Sequence, residues 1–294
     1  MISFLGWTPT EDVSTGVVVI PAPYEATTSY GQGTARGPAA ILEASHQVEF
    51  YDEELQYAPC RIGIATRAAI AFGEATHEAA IALVAQAVAA VHDAGQWPLV
   101  LGGEHSITSG CVRGTLPHSP GLGVLQIDAH ADLRNEYDGS PWSHASVMRR
   151  IVELGCPTVG VGIRALCEEE AAFIRERQLP RWFAHQLPQD LSWIEPVIDA
   201  LPERVFLTVD VDGLDPSLVR ATGTPVPGGI GWYPLLALLR TLFARRTVVG
   251  ADIVELAPQV GDHPSDFTVA RLAYKLIGYY AERHRRTGDG KTLS

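Results

Sequence analysis

Gly123-Val-Leu-Gln-Ile-Asp-Ala-His-Ala-Asp-Leu-Arg134 decides the fold. Its first half is a short apolar run of the kind that forms a strand buried on both faces. Its second half places Asp128, His130 and Asp132 at every second position. Side chains two apart on an extended chain point to the same side, so the motif aims two carboxylates and an imidazole at one place. A second segment, Val205-Phe-Leu-Thr-Val-Asp-Val-Asp-Gly213, repeats the design with Asp210 and Asp212. A third, Pro98-Leu-Val-Leu-Gly-Gly-Glu-His-Ser106, ends an apolar run at His105.

Outward from these segments, short β-branched runs alternate with longer helix-like stretches. Strands are expected at 16–20, 61–64, 98–101, 123–128, 158–163, 181–183, 205–210 and 248–254. Helices are expected at 37–47, 76–94, 106–113, 144–154, 168–177, 191–201, 233–243 and 265–284. This alternation predicts an α/β fold: a three-layer α/β/α sandwich around a parallel sheet of about eight strands. The three motifs then follow the carboxyl ends of strands, the edge where open α/β sheets collect ligands. Four carboxylates converging there resist ionising together, and cations remove that penalty. Two His and four Asp suit a pair of divalent ions bound through nitrogen and oxygen.

The 294 residues contain no linker, repeat or low-complexity tract. One domain over 1–284 is expected, with 285–294 as a flexible polar tail. A net charge of −12 disfavours nucleic acid, which needs clustered Lys and Arg, and is compatible with a small cationic substrate. No apolar stretch is long enough to span a bilayer, and the N-terminus lacks a signal-peptide pattern, so no membrane partner and a cytoplasmic location are expected. The four Cys show no CxxC pairing and read as reduced.

Taken in order, the motifs resemble the ureohydrolase family of arginases, agmatinases and related amidinohydrolases. The series begins with Pro21-Ala-Pro-Tyr24 and Thr28-Ser-Tyr-Gly-Gln-Gly-Thr-Ala-Arg-Gly-Pro38. After the His105, Asp128 and Asp210 motifs, or between them, come Ser143-His-Ala-Ser-Val-Met-Arg-Arg150, Thr222-Gly-Thr-Pro225, Pro227-Gly-Gly229 and Gly250-Ala-Asp-Ile-Val-Glu255. The resemblance covers nearly the whole chain and no ligand position departs from it. It implies two Mn(II) ions that activate one water, with Asp128 and Asp210 bridging them. His105 and Asp132 would complete one ligand set, His130 and Asp212 the other. It further implies that Asp132 orients the attacking water, Glu255 grips the guanidinium and His144 carries a proton to the departing amine. Homotrimers or homohexamers are the family's habit.

Around the site, Thr224 is a candidate for the pocket wall, its alternative being ordinary turn chemistry. Glu104 reads as a structural carboxylate beside His105. Arg164 is a candidate for an inter-element or subunit salt bridge, and Arg149-Arg150 for helix-face ion pairs. Arg134 stands where arginases carry an Asn that helps bind the amino-acid end of their substrate, which resembles the agmatinase-like branch. Glu136 and Asp138 are candidates to attract a distal ammonium, their alternative being solvated loop carboxylates. Hydrolysis of agmatine to putrescine and urea is therefore the leading expectation, with aminopropylagmatine a close competitor. Guanidinobutyrate, whose carboxylate Arg134 would suit, arginine and guanidine follow. A non-catalytic scaffold of the same fold would be expected to have lost ligands. A one-zinc deacetylase-like hydrolase would not require His130 and Asp212.

Overall fold

The computed structural model describes residues 2–6 and 15–287. Eight strands form one sheet: β1 (Val17–Ala22), β2 (Ile64–Thr66), β3 (Trp97–Gly102), β4 (Gly123–Ile127), β5 (Thr158–Ile163), β6 (Arg181–Phe183), β7 (Arg204–Asp210) and β8 (Thr247–Val254). All neighbours run parallel, in the order β2-β1-β3-β8-β7-β4-β5-β6. Among the described residues, eight α-helices accompany them: α1 (Gly37–Ser45), α2 (His77–Asp93), α3 (Thr108–Thr115), α4 (Val147–Glu153), α5 (Glu168–Arg177), α6 (Ile194–Asp199), α7 (Trp232–Arg245) and α8 (His263–Thr287).

Alternation along the strands divides the core into two layers. Val17 and Val19 belong to one buried layer with Ile41 of α1, Val197 of α6, Leu239 of α7 and Leu276 of α8. Val18 and Ile20 belong to the other layer, with Val84 of α2, Cys111 of α3, Met148 of α4 and Phe173 of α5. Both faces of the sheet are thus covered, which is why its strands read as continuous apolar runs. Among the described residues no helix is long and apolar enough to cross a membrane. All four cysteines are free thiols.

One expected strand is displaced. Residues 59–62 form a 3-10 turn with Pro59 at its start, Gly63 ends it at φ +81°, and β2 begins only at Ile64. Proline favours a first helical position and glycine a positive φ, so this pair sets a turn where the apolar pattern alone suggested a strand. Helix α8 runs through Thr287, three residues into the segment read as a tail; residues 288–294 lie outside the described residues.

Strand order is what brings the three motifs together. The chain lays down β1 and β3 on one side and later β4 to β6 on the other, and β7 and β8 fill the centre. The strands preceding His105, Glu255, Asp210 and Asp128 are therefore the four consecutive strands β3-β8-β7-β4. All four residues emerge at one edge.

Helix α8 is tied to the loop at 52–54 by a buried ion pair. Lys275, 1% exposed, places Nζ 2.9 Å from Asp52 Oδ2 and 3.2 Å from Glu54 Oε2. Removing one partner strands the other charge in the interior. Lys275→Ala is expected to cost roughly 3 kcal/mol of stability, read as a lower urea midpoint in equilibrium unfolding.

Candidate metal centre and active site

The motif after β3 turns sharply into a 3-10 turn at His105–Ile107, and the turn depends on a close backbone approach. A Cβ on Gly103 would collide with the carbonyl oxygen of Tyr24. Gly213, after β7, is constrained likewise: a Cβ there would lie 2.7 Å from the Asp128 nitrogen. Glycine at these two positions lets separate loops crowd together around the ligand side chains.

His105 is 1% exposed and its Nδ1 is the focus of the site. It lies 3.0 Å from Asp132 Oδ2, 3.2 Å from Asp128 Oδ2 and 3.4 Å from Asp210 Oδ2, yet makes no hydrogen bond. Its other ring nitrogen, Nε2, lies 2.9 Å from Thr208 Oγ1. A proton on Nε2 donated to Thr208 leaves the Nδ1 lone pair facing the carboxylates, the arrangement a ligating histidine needs. On the other side, His130 Nδ1 lies 3.0 Å from Asp212 Oδ2 and 3.6 Å from Asp128 Oδ1. Asp128 therefore faces one histidine with each carboxylate oxygen. Two sets of donor atoms, each within 4.8 Å, can hold an ion: His105, Asp128 and Asp132, and Asp128, His130 and Asp212. Asp210 Oδ2 borders the first set, and its Oδ1 accepts the Asp212 N–H at 2.9 Å.

Electrostatics explain why such a cluster suits cations. Burial raises the Asp132 carboxyl to about 7, with repulsion from Asp128 adding to it. Burial and the Asp212 and Asp128 charges push Asp210 well above the usual range. Asp128 goes the other way. Burial opposes its ionisation, but His105 and His130 hold it well below an ordinary carboxyl. Burial likewise opposes a charge on His130, yet Asp128 and Asp212 lift it to about 12. Protons thus stand in for positive charge here. A buried nitrogen facing three carboxylate oxygens without a hydrogen bond fits a nitrogen–oxygen ligand set for divalent ions.

Two site residues occupy left-handed backbone: Asp132 at φ +53° and Glu255 at φ +68°. Glutamate rarely adopts this conformation, which surrounding contacts must enforce. For Glu255 they are identifiable. Its N–H donates to the Gly103 carbonyl at 2.8 Å, and its Oε1 accepts the His105 N–H at 2.7 Å. The carboxylate is pinned to the His105 turn by one oxygen, and Oε2 remains available to the cavity that Glu255 lines.

That cavity, about 320 Å³, is lined by His105, His130, Asp132, Asp210, Asp212, His144, Thr224 and Glu255, and reaches outward to Arg134. The six expected metal ligands, His144, Glu255, Thr224 and Arg134 therefore converge: nine of these ten line the cavity, and Asp128 is fully buried. Thr224 Oγ1 stands 3.5 Å from Asp212 Oδ2. The Arg134 guanidinium lies 5.1 Å from the centre of the Tyr137 ring. Glu136 and Asp138 are exposed and do not line the cavity, so the solvated alternative describes them. The loop that carries them turns at Asp138 (φ +49°) and Gly139 (φ +76°). Among the described residues Arg164 makes no ion pair with a carboxylate. It donates to the backbone carbonyls of Gly162 at 3.0 Å, Asp212 at 2.5 Å and Val226 at 2.7 Å, pinning the loops behind Asp212 and Thr224. Arg149 and Arg150 pair with Glu153 along α4, as expected.

The sequence reading missed the residues that hold the ligands. Gln126 Nε2 donates to Asp128 Oδ2 at 2.8 Å and to the His130 carbonyl at 3.1 Å. Thr208 holds His105. Both carried a signal, because each is a polar residue in an apolar strand two positions before a ligand, on the same side. Glu104 is completely buried and gathers the segment 26–27.

Comparison with known proteins agrees with this geometry. The Arginase family profile matches residues 15–278. An N(1)-aminopropylagmatine ureohydrolase of Synechocystis sp. is 46% identical over 280 residues, 92% of this chain and 90% of the relative. An agmatinase of Pyrococcus horikoshii is 33% identical over 278 residues, 93% of this chain and 95% of the relative. The crystal structure of agmatine ureohydrolase of Thermoplasma volcanium superposes with a TM-score of 0.83 at 30% identity, covering 93% of this chain and 92% of that one. With its eight-stranded parallel sheet and a family match over nearly its whole length, the chain belongs to the arginase family and is a hydrolase of guanidino compounds.

Proposed function

We propose that this protein is a binuclear Mn(II) ureohydrolase that cleaves the guanidino group of N(1)-aminopropylagmatine to urea and the corresponding triamine, with agmatine as the next substrate. The observation that carries the reaction is the convergence of the six-ligand cluster, Glu255 and His144 on one cavity. The 46% identical relative, an N(1)-aminopropylagmatine ureohydrolase, supports a longer tail than that of the agmatine expected from the motifs alone. The outer wall, with Tyr30, Tyr137 and Leu166, offers apolar surface for a methylene chain.

His105, Asp128 and Asp132 would hold one ion and Asp128, His130 and Asp212 the other, with Asp210 beside the first set. Bound there, two divalent ions would supply Lewis acidity, acidify a water and offset the carboxylate charge. Glu255 Oε2 accepts from the guanidinium nitrogens in a charge-assisted contact, while its Oε1 stays fixed by the His105 N–H. Asp132 orients the water that attacks the guanidino carbon. The tetrahedral carbon then loses its bond to the substrate amine. His144 delivers the proton that lets the amine leave, and urea remains. Burial lowers the His144 pKa, outweighing the nearby Glu104 charge, which favours release of the proton.

A second reading rests on Arg134. A cationic side chain on the cavity wall suits a substrate ending in a carboxylate, such as guanidinobutyrate.

Urea release by the Mn(II)-loaded protein across aminopropylagmatine, agmatine, guanidinobutyrate, arginine and guanidine separates these readings. The highest kcat/KM is expected for aminopropylagmatine; preference for guanidinobutyrate would transfer the tail site to Arg134. Asp128→Asn removes a shared charge and is expected to lower bound metal, measured by elemental analysis, and to abolish turnover. Glu255→Gln is expected to retain metal and to lower kcat/KM about 10- to 100-fold, since it weakens a charge-assisted hydrogen bond.

A further inference from the structure

We propose that Glu104 and Thr27 are positioning residues that fix the tautomer of His144, so that Nε2 is the ring nitrogen that exchanges protons with the cavity. This rests on the reading of His144 as the proton carrier. The chain of contacts is continuous. Glu104 is fully buried, and its carboxylate meets four donors. Oε2 accepts the N–H groups of Ala26 and Thr27, both at 2.6 Å; Oε1 accepts the Thr27 hydroxyl at 2.7 Å and the Ser106 hydroxyl at 2.5 Å. Those four bonds use the whole acceptor capacity of a carboxylate.

A hydroxyl has one proton and two lone pairs. Thr27 commits its proton to Glu104. One lone pair accepts the His144 backbone N–H at 3.0 Å. The other faces His144 Nδ1 at 3.2 Å. With its only proton engaged, Thr27 Oγ1 can meet Nδ1 solely as an acceptor, so Nδ1 carries the hydrogen. Ser143 Oγ, 3.3 Å from the same nitrogen, accepts the Ala145 N–H and is free to rotate, so it adapts to this tautomer and does not dictate it. The neutral ring therefore presents a lone pair at Nε2. That nitrogen takes up a proton and returns it to the leaving amine, while Nδ1–H stays in place. The opposite tautomer would present a spent donor, and the ring would have to flip before each proton transfer. Glu104 also immediately precedes His105, so one buried carboxylate couples the turn bearing a metal ligand to the ring that moves the proton.

The test compares Thr27→Val, Thr27→Ser and His144→Ala in the Mn(II)-loaded protein, using whichever of the five guanidino compounds it hydrolyses best. Valine keeps the shape of threonine without its hydroxyl; serine restores the hydroxyl. Thr27→Val is expected to lower kcat roughly 10- to 100-fold, within the range of general acid–base catalysis, with KM and metal content unchanged, and Thr27→Ser to recover kcat. A role in shape alone would leave Val close to wild type and Ser impaired, overturning the proposal. If His144→Ala keeps full kcat, the proton-carrier reading itself fails. If His144→Ala is impaired and Thr27→Val is not, only the positioning proposal fails. Neutron diffraction from deuterium-exchanged wild-type crystals gives a readout independent of turnover. Deuterium on the Thr27 hydroxyl directed at Glu104, with deuterium on His144 Nδ1, is expected; a Thr27 deuterium directed at Nδ1 would overturn the proposal.

Discussion

Mutual repulsion among buried carboxylates is the constraint on which the rest of this structure depends. Asp128, Asp132, Asp210, Asp212 and Glu255 are all buried and share one cavity or its floor. Such charges are costly unless each finds donors or cations. The chain provides backbone donors first. The N–H of His130 serves Asp128 at 2.6 Å, that of Ala129 serves Asp212 at 3.0 Å, and that of Asp212 serves Asp210 at 2.9 Å. Two histidines come next. The cluster that remains could hold divalent ions, which would complete the balance.

Around the carboxylates, single side chains serve two partners at once. Glu255 supports the His105 turn through one oxygen and faces the cavity with the other. Arg164 uses its guanidinium on backbone carbonyls, locking the loops that follow β7 to the end of β5. Glu104 draws residues 26–27 over the site. The donors and acceptors around the cluster are therefore held by partners from distant parts of the sequence. Such preorganisation is what electrostatic catalysis requires, since the groups need not move as charge develops.

Local strain is also present in the site. Asp132 and Glu255 both have positive φ, and both belong to the site. The remainder of the sheet offsets this cost with two apolar layers, each built from one face of the same strands. A rigid sheet with covered faces is the platform on which such turns persist.

The sequence alone determined the period and the chemistry. Continuous apolar runs marked the eight strands because both faces of this sheet are buried, and alternate-residue spacing marked Asp128, His130, Asp132, Asp210 and Asp212 because extended backbone repeats every two residues. Where local turn chemistry intervened, as at Pro59 and Gly63, the apolar pattern misplaced a strand. Only the tertiary structure decided that β8 and β7 lie between β3 and β4, since strand order depends on which helices cross which face and leaves no trace in local periodicity. It also decided that Glu136 and Asp138 leave the cavity while Thr27, 117 positions from His144, meets its ring. A hydrogen bond between distant residues is set by how whole elements pack, and no spacing along the chain encodes it.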